Sequence, residues 1–120
     1  MTRKRRVRIW HTDIVIGALE PKNAQEDFEQ QLGRTVNRLR TMSLEKLGNG
    51  NRVSATRTVI QSIADQSRIS LGLPELTVPE LSDAALADQL AVVGSELLGV
   101  GNDEVLESTA RQLQHLRSML

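Results

Sequence analysis

The sequence predicts a mainly α-helical single domain over residues 1–120: four or five helices, a short N-terminal β strand or hairpin, and a C-terminal antiparallel helical hairpin at 82–120. Three observations carry that prediction. In the last third of the chain, apolar residues recur at steps of three and four, the spacing of one helix face. Aromatic residues make up only 2% of the chain against 39% hydrophobic, so a core has to be assembled from Leu, Ile, Val and Ala. Near the start, Arg6 and Arg8 alternate with Val7 and Ile9, the period of a strand. A chain of 120 residues has room for one domain of this kind.

Residues 1–8 form a basic arm in which Arg3, Lys4, Arg5, Arg6 and Arg8 crowd together. The strand signal overlaps its end, and 9–47 reads as strand plus helix. Trp10 and His11-Thr12-Asp13 separate the alternating stretch from the β-branched run Ile14-Val15-Ile16, which Gly17 bounds. One bent strand or a hairpin turning at 11–13 both satisfy this pattern. One or two strands are not stable alone, so they need the helices or a second copy to pair with. Asn23, followed three residues later by Glu26, marks a helix start. From there Phe28, Leu32, Leu39 and Met42 share one side up to about Leu47. Gly33 sits within this run and leaves two possibilities: one helix crossing it, or a break at Gly33-Arg34-Thr35 between two shorter helices.

Gly48-Asn49-Gly50-Asn51 is the strongest breaker and the natural flexible joint at 48–51. The helical part at 52–120 follows. Ser54 is a candidate cap for a helix that turns Ala55, Val59, Ile60, Ile63 and Ala64 inward and Arg57, Gln61, Asp65 and Arg68 outward, ending near Arg68. LPEL and TVPEL between Leu73 and Leu81 repeat a proline-containing pattern, which favours an extended linker packed by its leucines. In the C-terminal hairpin, Leu86, Leu90, Val93 and Leu97 stripe the first helix. Val105, Leu106, Ala110, Leu113, Leu116 and Leu120 stripe the second. Ser82 is the expected cap of the first helix, Gly99 its expected end, and Asn102 or Asp103 the expected cap of the second. These stripes fit the core of one chain and also fit a self-association face through Leu86, Leu90, Val93, Leu97, Leu106 and Leu113.

The net charge of zero hides a division. Residues 1–74 hold 13 Lys and Arg against 7 Asp and Glu, while residues 75–120 hold 2 against 8. Such asymmetry points to a basic binding half and an acidic half, or to two halves that attract each other. On the first reading the protein binds nucleic acid through Arg3, Lys4, Arg5, Arg6 and Arg8, supported by Arg34, Arg38 and Arg52, and oligomerises through the hairpin. On the second it is a protein-interaction or assembly subunit that binds no nucleic acid.

Two local patterns touch known DNA-binding architectures. A strand, a helix, a glycine-containing turn and a second helix resemble the order in ribbon-helix-helix proteins, with LGRTVNRL at Leu32–Leu39 similar to their inter-helix segment. That resemblance implies dimerisation through the strand and a two-stranded ribbon in the major groove. IADQSRIS at Ile63–Ser70 has the spacing of a helix-turn-helix corner, but Gly72 and Pro74 break the recognition helix that has to follow.

Catalytic and metal chemistry find no residues here. There is no cysteine, which removes disulfides, thiolate catalysis and cysteine-type zinc sites. His11 and His115, the two histidines, lie on different elements with no ligand spacing. The glycines of GNGN lack the lysine of a phosphate-binding loop. The expectation is a protein that is not an enzyme and takes no cofactor, metal or small-molecule substrate. No apolar run reaches membrane length, and Ile14–Leu19 is too short for a signal-peptide core, so a soluble cytoplasmic protein is expected.

Overall fold

The computed structural model describes residues 23–120; the basic arm and the expected strand lie outside the described residues. Five α-helices and one 3₁₀ turn follow in order: α1 (Ala24–Thr41), α2 (Leu44–Leu47), α3 (Arg52–Ser70), the turn Asp83–Ala85, α4 (Leu86–Val100) and α5 (Asp103–Met119). One apolar cluster takes residues from every helix, including Phe28, Leu47, Ile60, Leu90 and Leu113.

Helix α1 starts where the capping pair places it: the Glu26 N–H donates to Asn23 Oδ1 at 2.8 Å. It then runs through Gly33 without a break, so the two-helix alternative and the ribbon-helix-helix order drawn from it do not hold for these residues. Gly33 is exposed on the outer face, while Phe28, Leu32, Thr35, Val36 and Leu39 carry the buried stripe on either side of it. Burial along that stripe outweighs the roughly 1 kcal/mol that a mid-helix glycine costs. The helix stops at Thr41 rather than reaching Leu47, because Ser43 turns extended and caps the short α2.

Helix α3 begins at Arg52, ahead of the expected Ser54 cap; the Ser54 hydroxyl instead donates back to the Asn51 carbonyl. Its buried stripe is Thr56, Ile60, Ile63 and Ser67. Ala55, Val59 and Ala64, expected inward, are half-buried at its edges. The helix closes at Gly72, whose φ of 69° is left-handed. There the Leu73 N–H reaches the Arg68 carbonyl at 2.8 Å, which satisfies an orphan carbonyl of the last turn.

Residues 73–82 do not pack by their leucines: Leu73, Leu76 and Leu81 are 45%, 62% and 50% exposed. Side chains hold the backbone instead. Gln61 makes a two-point clamp, donating to the Leu76 carbonyl and accepting from the Val78 N–H. Arg68 donates to the Pro74 carbonyl, Gln89 to that of Pro79 and Arg57 to that of Leu81. The residues read from sequence as the outward face of α3 are therefore the ones that fasten this strap. The strap lets α3 and α4 run in the same direction. Arg57 pairs with Asp83 at the start of both, and Ser67, Leu71, Gly99 and Val100 come together at their ends.

The C-terminal pair also differs from expectation. No Ser82 side-chain cap forms; the 3₁₀ turn Asp83–Ala85 leads into α4. Helix α4 passes through Gly99 and ends at Gly101, and Asn102 Oδ1 accepts from the Val105 N–H to cap α5. The connection is thus two residues long, with Gly101 extended. The two helices do not run alongside each other as an antiparallel hairpin. Helices α1 and α3 each pack on both of them instead, and fill the space between.

Candidate interaction surfaces

The basic positions in the described residues mostly hold the fold together. Arg38 donates to the Leu120 carbonyl at 3.0 Å, at the negative end of α5. Arg52 donates to the carbonyls of Lys46 and Asn49, and closes the Gly48–Asn51 turn. Arg40 pairs with Asp88 and Arg57 with Asp83. Of the three supporting positions expected from sequence, Arg34 alone makes no hydrogen bond or ion pair among the described residues. Arg34, Arg38, Arg52 and Arg57 do not assemble on one face: the first two flank α5 from α1, Arg52 belongs to the turn, and Arg57 to the strap.

A smaller group forms between α1 and α5, around Arg117, which the sequence reading did not single out. The Arg117 guanidinium donates to the Gln31 carbonyl at 3.4 Å and to Thr35 Oγ1 at 3.3 Å. Burial, and secondarily the nearby Arg34, hold its pKa below the usual arginine value. Thr35 is fully buried and donates to the Gln31 carbonyl at 2.7 Å.

The self-association residues read from the hairpin are not a surface. Leu86, Leu90, Leu97, Leu106 and Leu113 are fully buried and Val93 nearly so. They form the chain's own core under α1 and α3, so the core reading of those stripes holds and the outer-face reading does not.

The exposed apolar surface lies elsewhere. Ile69, Leu71 and Leu73 at the end of α3, Leu76 on the strap, and Val92 and Val100 on α4 are between 37% and 62% exposed. Leu71, Leu76, Val78, Val93 and Val100 line a groove of about 600 Å³ where the ends of α3 and α4 meet the strap. Ser67 lines it too, and is only 5% exposed, with a buried Oγ that has no hydrogen-bond partner. Leaving a buried hydroxyl unpaired costs about 1–3 kcal/mol. Sequence periodicity gave no sign of this groove, because the strap creates it and side-chain clamps from α3 and α4 set the strap's path.

Among the described residues no group of three or more His, Asp or Glu could hold a metal ion, and no helix is long and apolar enough to cross a membrane. Comparison with protein-family models, curated proteins and solved structures finds no match.

Proposed function

We propose that this chain is a non-enzymatic protein-interaction subunit whose folded part docks an extended apolar segment with basic flanks in the groove between α3, the strap and α4. The observation that carries this reading is the groove, with Leu71, Leu76 and Val100 exposed to solvent in its walls. Exposed apolar surface gathered in one place marks an interaction site more often than scattered apolar residues do. An extended peptide can lay alternate side chains on these walls. Glu96 in the lining and Glu75 and Glu80 on the strap favour basic flanks. Binding of a synthetic peptide alternating valine and lysine tests the reading. Leu76→Asp is expected to weaken it at least tenfold; equal binding by both proteins rejects it.

A second reading, nucleic-acid binding, is favoured by the Arg34–Arg117 neighbourhood with Arg38 beside it, a concentration of positive charge on the folded part. Arg3, Lys4, Arg5, Arg6 and Arg8 would supply most phosphate contacts. Duplex DNA and RNA binding at two salt concentrations tests it: steep loss with salt, abolished by deleting residues 1–8, supports it, and no binding at low salt ends it. Self-association, the other partner expected from sequence, would use the groove rather than the buried leucines. Sedimentation of the wild type and Leu76→Asp proteins measures it.

A further inference from the structure

We infer that Asn49, in the turn between α2 and α3, is a self-modifying site: its side-chain amide is converted to a carboxylate through attack by the Gly50 main-chain nitrogen, and the Arg52 guanidinium favours the step. The site shares no residue with the groove, so it stands independently of the docking reading. Asn49 and Gly50 are both exposed. Among the described residues the Asn49 side chain makes no hydrogen bond and the Gly50 N–H donates to nothing. Glycine presents no Cβ to obstruct its nitrogen. The φ of 66° at Gly50 is left-handed, so this point of the turn favours glycine over any other residue.

The chemistry balances with water alone. Hydroxide removes the Gly50 amide proton. The amidate nitrogen bonds to Asn49 Cγ, the Cγ–Nδ2 bond breaks, and ammonia leaves with a proton taken from water. The resulting succinimide takes up water at one of its two carbonyls and opens to aspartate or isoaspartate; nothing is oxidised or reduced. Charge on the amidate is shared with the oxygen of the same peptide unit, the Asn49 carbonyl. Arg52 Nη1 donates to that oxygen at 3.2 Å and to the Lys46 carbonyl at 3.4 Å. A donor already in place where negative charge develops lowers the cost of forming it. The other asparagines lack this combination. Asn23 and Asn102 commit Oδ1 to helix caps. Asn37 lies inside α1, and Asn51 precedes Arg52, whose Cβ crowds the attacking nitrogen. Each conversion adds a negative charge close to Arg52, and isoaspartate also lengthens the main chain of the turn that Arg52 closes.

Incubation of the full chain in mildly alkaline buffer, followed by peptide mapping with mass spectrometry, tests the inference. A synthetic peptide of residues 44–54 is the unfolded reference. Acid and isoaspartate are expected to accumulate at Asn49 ahead of every other asparagine, at least as fast as in the peptide. Arg52→Gln is expected to slow conversion severalfold in the folded protein, with unchanged far-UV circular dichroism, and to change the rate of the peptide little. Arg52→Lys keeps a cation and should retain part of the rate. A turn loosened by loss of Arg52 converts faster, so slowing separates the electrostatic role from a structural one. An Asn49 that converts more slowly in the wild-type protein than in the peptide overturns the inference, and this comparison decides if Arg52→Gln does not fold. A folded Arg52→Gln protein that converts as fast as the wild type, or faster, overturns it too.

Discussion

A methyl group added to Gly94 would lie 2.5 Å from Leu32 Cδ1 and 2.6 Å from Cδ2, so α1 packs tightly on α4 at this pair. Leu32 Cγ stands at 3.1 Å from the same point, so turning the leucine methyls aside does not clear the space. Overpacking of this kind costs about 1–3 kcal/mol, which offsets or exceeds the roughly 1 kcal/mol that alanine gains over glycine in a helix. Gly94→Ala is expected to destabilise the protein by up to about 2 kcal/mol in denaturant unfolding. Combined with Leu32→Ala, the two losses should be less than additive, because the smaller side chain admits the methyl.

Gly33 gives the opposite result on the same helix. A Cβ there meets nothing within 4 Å, and the backbone is helical. Gly33→Ala is expected to stabilise by about 0.5–1 kcal/mol. A loss of stability would mean that α1 does not run continuously past this residue.

Much of this architecture is legible in the sequence, and the misses have physical causes. The helical stripes are found because burial has a period: Phe28, Leu32 and Leu39, then Leu86, Leu90, Val93 and Leu97, are core residues as their spacing indicates. The caps at Asn23 and Asn102 are found because a side chain three residues from an orphan N–H has a local signature. Mutual placement has none. A two-residue connection leaves no trace in the sequence of which helices will come between α4 and α5. The fastening roles of Gln61, Arg57 and Arg68 depend on contacts with residues 6–24 positions away, and in sequence these side chains are indistinguishable from a solvated face. The fold-holding roles of Arg38 and Arg52 are hidden for the same reason, since both are engaged by carbonyls that no pattern announces.

Gln61 holds the strap from two sides, so Gln61→Ala should release it. The expected cost is about 1–2 kcal/mol, with the Val78 amide losing hydrogen-exchange protection while amides of the Ile60–Ile63 turn keep theirs. Unchanged exchange at Val78 would show that the strap is held by other contacts.

Arg34 depresses the Arg117 pKa, a contribution second to burial, so the charged form is disfavoured in the folded state. Stability linked to Arg117 therefore rises as pH climbs through its lowered value, on the alkaline side, and is flat between about pH 5 and 8. Arg34→Gln removes one of the two causes. It should raise the thermal midpoint at low salt, with the gain shrinking at high salt as screening replaces it.

The docking surface itself is tested most directly by amide chemical-shift mapping of the full chain titrated with the valine–lysine peptide. The account predicts shifts concentrated at Ser67, Leu71, Leu76, Val78, Glu96 and Val100, and their loss in Leu76→Asp. Shifts confined to Arg34, Arg38 and Arg117, or none at millimolar peptide, would contradict it.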